Sequence, residues 1–210
     1  MSRVISILNP KGGSGKTTLA IHLATAFHRS GESTLLVDSD IQGSVRDWKT
    51  ASKTGLTVVG LDRPSLDNDI KDLKQNYQWT IIDGAAKLEK MVASAVKASD
   101  MVLIPIQPSP LDLWACVTLA DAIHTRQQIT DGQPACALVL NSVRKNTILA
   151  REMSKALADF NLPVLHGGLH YRTIFARSLA EGSTALDMEP NGEAAFEINH
   201  IVKQVREAFT

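Results

Sequence analysis

The stretch NPKGGSGKTTLA, residues 9–20, decides the fold. The ordinary phosphate-binding loop reads G-x-x-x-x-G-K-[ST]. Gly15, Lys16 and Thr17 match the second half of that pattern, but the position five residues before Gly15 holds Pro10. The loop is therefore a variant, and Lys11 is the residue that the ordinary version does not explain. The context is the required one: ISIL leads into the glycines and TTLAIHLATAF follows them, giving strand, loop and helix in order. Gly12, Gly13 and Gly15 let the backbone curl until several N–H groups, those around Ser14 and Thr18 included, face one anion. A helix starting near Lys16 adds its positive end. Lys16 would neutralise the β- and γ-phosphates of a nucleotide, and the Thr17 hydroxyl would ligate Mg²⁺.

Outward from this loop, short apolar, β-branched runs recur at 3–8, 34–38, 56–60, 79–83, 101–106, 135–140 and 163–167. They read as buried parallel strands. Between the first two, Leu19, Leu23, Ala26 and Phe27 fall along one helical face, and Gly31 is placed to end the helix. Alternating strand and helix predicts an α/β fold, a doubly wound, mostly parallel sheet flanked by helices, with ligands beyond the carboxyl ends of the strands. The 210 residues suit one domain spanning 1–210.

Twenty-two basic and twenty-two acidic residues cancel, so the molecule as a whole has no bias toward nucleic acid or anionic lipid. Any such partner needs a local patch. Cys116 and Cys136 form neither a CxxC pair nor part of a Cys/His cluster, and read as reduced, buried small hydrophobes of a cytosolic protein. No run reaches the ~18 apolar residues of a membrane span.

Acidic strand ends complete the candidate site. WTIIDG places Asp83 at the end of a buried run, where a carboxylate can hold a magnesium-bound water, and LLVDSDIQG places Asp38 at another end with Asp40 two residues on. A lone aspartate at such a place is often only a helix N-cap. Three beside one phosphate loop carry more weight.

Taken together, KGGSGKTT, VDSDIQGS and IIDG resemble the deviant Walker A, switch I and Walker B motifs of the ParA/MinD ATPases, and most of all short ParA plasmid partition proteins of the ParF-like branch. IPIQPSPLDLWA and YRTIFARSLAEGSTALD are similar to later segments of that branch. The resemblance implies a weak, Mg²⁺-dependent ATPase whose two ATP-loaded subunits form a sandwich homodimer, with polymerisation left open. Lys11 would reach across to the partner's phosphates while Lys16 acts in its own subunit. Asp40 would orient the attacking water, Asp38 and Asp83 would support Mg²⁺, and Asn141 would read adenine. Two departures stand out: Ile41 replaces the usual proline after Asp40, and GAAKL replaces Thr-Pro-Pro after Asp83. The implied partners are nonspecific DNA and a centromere-binding adaptor, in a cytoplasmic, nucleoid-associated setting. A related ATPase positioning a protein cargo, such as a carboxysome or chemoreceptor cluster, and a metabolic P-loop enzyme are the alternatives.

A DNA-contacting patch is expected between residues 142 and 177, where Arg144, Lys145, Arg151, Lys155, Arg172 and Arg177 outnumber Glu152 and Asp159. Ordinary solvated helix faces are the competing reading. Residues 178–210 reverse the balance. The last helix places Phe196, Ile201, Val205 and Phe209 near one face, which reads as packing on the sheet and not as a membrane anchor.

Overall fold

A computed structural model describes residues 2–85, 89–144 and 162–210. Six strands, β1 (Arg3–Ile7), β2 (Thr34–Asp38), β3 (Thr57–Gly60), β4 (Trp79–Asp83), β5 (Met101–Ile106) and β6 (Ala135–Leu140), form one sheet in the order β3-β2-β4-β1-β5-β6. Every pairing is parallel. Alternate residues of each strand face opposite sides. Ile5, Ile7, Leu36 and Leu103 join one apolar cluster, whereas Val4, Leu35, Val37, Val102 and Ile104 join the other.

The first cluster is covered by α1 (Lys16–Arg29), α2 (Ser44–Ala51), α7 (Thr173–Ala180), α8 (Ala185–Met188) and α9 (Glu193–Glu207). The second lies under α3 (Leu66–Leu73), α4 (Glu89–Ala98), α5 (Pro110–Ala115) and α6 (Val117–Gln128). This is the doubly wound sheet that the strand and helix alternation predicts. Leu19, Leu23, Ala26 and Phe27 of α1 are all buried, and Phe27 stacks on Trp79 with ring centroids 4.1 Å apart. Burying a side chain of that size contributes about 3 kcal/mol. The helix ends where expected: Gly31, at φ 82°, donates its N–H to the His28 carbonyl.

Two expectations need correction. The run at 163–167 is no seventh strand; it makes a single parallel bridge, Val164 to Leu138. Pro163 has no N–H to extend a ladder, and Gly167 and Gly168, at φ 85° and 125°, turn the chain away. Phe196 does not share the buried face of α9, since it is 73% exposed while Ile198, Ile201, Val202 and Val205 are buried. At 100° per residue it sits about 200° around the helix from Ile198. Cys116 and Cys136 are free and buried, and burial pushes both thiols up to about 12. Among the described residues no helix is long and apolar enough to cross a membrane.

Candidate functional site

Strand β1 lies inside the sheet with β4 on one side and β5 on the other, so the loop that follows it opens at the carboxyl edge. Side chains from distant strands hold that loop in shape. Asn9 donates to the Pro105 carbonyl at 2.7 Å and accepts from the Lys11 N–H at 2.7 Å. Gln107 donates to the Gly13 carbonyl at 2.9 Å, and Asn141 to the Ser14 carbonyl at 2.7 Å. Gly15 takes φ 95°, and a Cβ there would stand 2.0 Å from the Asn141 amide nitrogen, so only glycine lets the loop and β6 approach. Helix α1 then begins at Lys16, as the sequence places it.

Strand register brings the acids together. Asp38 sits directly opposite Asp83 across β2 and β4, and Asp83 is opposite Ile7 across β4 and β1. The Thr17 hydroxyl donates to Asp83 Oδ2 at 2.7 Å. The other oxygen, Oδ1, is buried without a partner, as is the Ser14 hydroxyl. Burial, reinforced by Asp38 and Asp40, pushes the Asp83 carboxyl up to about 7 despite the Thr17 hydrogen bond and the nearby Lys16. Lys16 is buried too: burial lowers its pKa, while Asp83 and Asp40 oppose the shift. Its Nζ donates to the Lys11 carbonyl at 3.2 Å, across the mouth of its own loop.

Lys11 points elsewhere. Its ammonium pairs with Asp112 of α5, a carboxylate that is buried and also accepts the Gln107 N–H at 3.3 Å. Beyond that pair, Leu111, Trp114 and Val117 are exposed. Asp40 lies two residues beyond the end of β2, where its N–H donates to Asp38 Oδ1 at 3.1 Å and its own Oδ1 accepts the Gln42 N–H at 3.0 Å. Asp38 Oδ2 accepts the Arg46 N–H at 3.0 Å, so this aspartate also serves the first turn of α2. Ile41 is 62% exposed, and Gly84 is wedged so that a Cβ would lie 2.1 Å from Leu8 Cδ2.

Nucleotide and metal fit this chemistry. Among the described residues no group of three or more His, Cys, Asp or Glu could hold a metal ion. A hard cation that keeps most of its water and takes its remaining oxygens from phosphate needs no such cage. The orphaned Asp83 oxygen, the adjacent Thr17 hydroxyl and the buried Lys16 ammonium together suit Mg²⁺ bound with a polyphosphate.

The sequence reading missed Asn9, Gln107, Asp112 and Arg46. Asn9 lies inside the quoted stretch, a polar residue ending a buried run, and Arg46 follows Asp40 by six residues; Gln107 and Asp112 are joined to the site only by the fold. The residues expected to meet DNA are differently placed. Arg172 is gripped by Glu193 at 2.5 Å and Glu197 at 2.7 Å, both from α9. Glu197 also accepts from His170 at 2.8 Å, and these partners outweigh burial to lower its pKa. Arg177 lies 4.0 Å from Glu181, and Arg144 stands over the exposed Tyr171 ring at 5.1 Å. Val143, Arg144, His170, Tyr171 and Arg172 line an open cleft of about 450 Å³. Lys145, Arg151 and Lys155 lie outside the described residues.

The chain is similar to known proteins. The chain is 28% identical over 207 residues to the maintenance of carboxysome distribution protein A of Halothiobacillus neapolitanus, covering 96% of this chain and 95% of that protein. The protein of the same name from Gloeobacter kilaueensis is 30% identical over 88% of this chain and 84% of its own. The septum site-determining protein MinD of Pyrococcus horikoshii, solved with Mg-ADP, superposes with a TM-score of 0.75 over 98% of this chain and 96% of that one at 21% identity. The model of the CobQ/CobB/MinD/ParA nucleotide binding domain matches residues 5–185, and the chain belongs to that family.

Proposed function

We propose that this chain, as one ATPase domain, is a Mg²⁺-dependent ATP hydrolase that works as an ATP-sandwiched homodimer, binds duplex DNA without sequence preference and positions a cargo. The observation that carries this is the divergence of the two lysines. Lys16 faces its own phosphate cradle, whereas the half-exposed Lys11 ammonium is held outside it by Asp112. A lysine so placed suits a second subunit's phosphates better than its own. Hydrolysis that needs it then waits for two loaded subunits to meet.

In this reading bound Mg²⁺ would neutralise charge on the nucleotide's phosphates. Lys16 and the loop N–H groups hold those phosphates in place. Thr17 would ligate the metal, Asp38 and Asp83 would hold its water shell, and Asp40 would accept a hydrogen bond from the attacking water. The test compares Lys11→Ala with the parent in sedimentation with a nonhydrolysable ATP analogue. Lys11→Ala should still bind nucleotide yet neither dimerise nor hydrolyse. An active, dimeric Lys11→Ala protein would refute the sandwich.

For the cargo, end-to-end likeness to a carboxysome distribution protein supports a protein assembly. The motifs shared with short ParA proteins support a plasmid, with a centromere-binding adaptor as partner. Stimulation of the ATPase by a cargo-coat protein without any particular DNA site favours the first. Stimulation that depends on an adaptor bound to a specific DNA repeat favours the second.

A further inference from the structure

We infer that Arg46 is a positioning residue that holds the Asp40 turn in shape, an inference that rests on the reading of Asp40 as the group orienting water. Arg46 is the third residue of α2, and its guanidinium folds back over the preceding loop. Nε lies 3.4 Å from Asp38 Oδ2. Nη2 donates to the Asp40 carbonyl at 3.0 Å and to Asp62 Oδ2, beyond β3, at 3.1 Å. The same Asp40 carbonyl accepts the Gly43 N–H at 3.0 Å. One planar cation thus ties the Asp40 backbone to two carboxylates on different strand ends, a task for which a fork of donors is suited and a single ammonium is not.

The slot that receives this guanidinium is floored by two glycines. A Cβ on Gly43 would stand 3.2 Å from Nε and Nη2, and one on Gly60 would stand 3.0 Å from Cδ and 3.1 Å from Nη1. Gly60 faces Asp38 directly in the β2–β3 register, so the slot opens toward the acidic strand end. A restraint here has a local reason. Residue 41 is isoleucine, exposed, and has no ring to fix φ in the turn as a proline would. The arginine restrains from outside a turn that lacks this internal restraint.

The experiment is steady-state ATP hydrolysis with Mg²⁺ on the full chain. Arg46→Ala keeps the backbone N–H that caps Asp38, so kcat should fall about tenfold while KM for ATP stays within about twofold. Arg46→Lys should recover part of the loss. Gly60→Ala, whose methyl would press the guanidinium back from the slot without changing Arg46 itself, should lower kcat in the parent and have no further effect on Arg46→Ala. Ile41→Pro should restore turnover to Arg46→Ala. If Asp40→Ala hydrolyses like the parent, the reading of Asp40 fails and this inference falls with it. If Asp40→Ala is slow but Arg46→Ala and Gly60→Ala are as fast as the parent, only the role of Arg46 is overturned. A reduced Mg²⁺ requirement with unchanged kcat would also overturn it, by assigning the arginine to Asp38 alone.

Discussion

The carboxyl edge around Lys16 and the face around Arg172 both gather charge, but they leave it in opposite conditions. At the edge, Lys16, Asp38, Asp40 and Asp83 converge with one oxygen of Asp83 unpartnered, and burial pushes its carboxyl up to about 7. At the other face, Arg172 is enclosed by Glu193 and Glu197, each within 2.7 Å. Unmatched buried charge marks a place prepared for a ligand, whereas matched charge marks a joint of the structure. On this contrast we propose phosphate chemistry for the first region, while Arg172 is ion-paired to α9.

The sharpest way to break this contrast is Lys16→Ala, which should lower hydrolysis about a thousandfold, measured as phosphate release, because the charge meant to neutralise the β- and γ-phosphates from within the subunit is removed. Activity within tenfold of the parent would remove the edge from consideration.

His22 links the two regions, since its Nδ1 meets the Thr18 carbonyl at 2.7 Å and its Nε2 accepts the Ala185 N–H at 3.1 Å. Burial lowers its pKa from the ordinary 6.5 to about 4. The folded protein therefore favours the neutral ring. Its contribution, about 3 kcal/mol, is present above pH 6.5 and is lost as pH falls toward 4. Urea unfolding at a series of pH values should show this loss in the parent, and His22→Gln should remove that part of the slope.

A smaller effect separates the two roles available to Arg172. If it is a joint, Arg172→Ala removes the guanidinium from Glu197, leaving it only His170 among the described residues, and lowers unfolding free energy by about 2 kcal/mol. Should stability hold while affinity for every duplex drops, the phosphate contact expected from the sequence would be right instead. The smallest expected change is at Arg144, on the exposed rim beside Tyr171. Arg144→Ala should weaken binding to unrelated duplexes about threefold at low salt and flatten the salt dependence by about one unit of slope, leaving stability unchanged.

The legibility of the sequence follows the same divide. The phosphate loop can be read from a dozen contiguous residues because the backbone itself is the binding group. Asp38 and Asp83 are readable because parallel strands end at the same edge, so a strand-end position is already a spatial address. Partnerships set by packing leave no local trace. Lys11 and Asp112 are 101 residues apart, and Arg172 and Glu197 are 25 apart. Counting charge by segment put Arg172 in a basic stretch and its two carboxylates in an acidic one, although the fold superimposes them. Phe196 was misplaced because four apolar residues in a helix admit more than one face until the sheet beneath selects Ile198, Ile201 and Val205.

The exposed tryptophan beside Asp112 gives the molecule an optical handle. Trp48 and Trp79 are 5% and 7% exposed, while Trp114 is 67% exposed. Water-soluble quenchers such as acrylamide will therefore reach one indole of the three, and the quenchable part of the emission will come from the helix that holds Lys11. Any change in that fraction on adding nucleotide reads out the surroundings of the Lys11–Asp112 pair in unlabelled protein, in real time and at micromolar concentration.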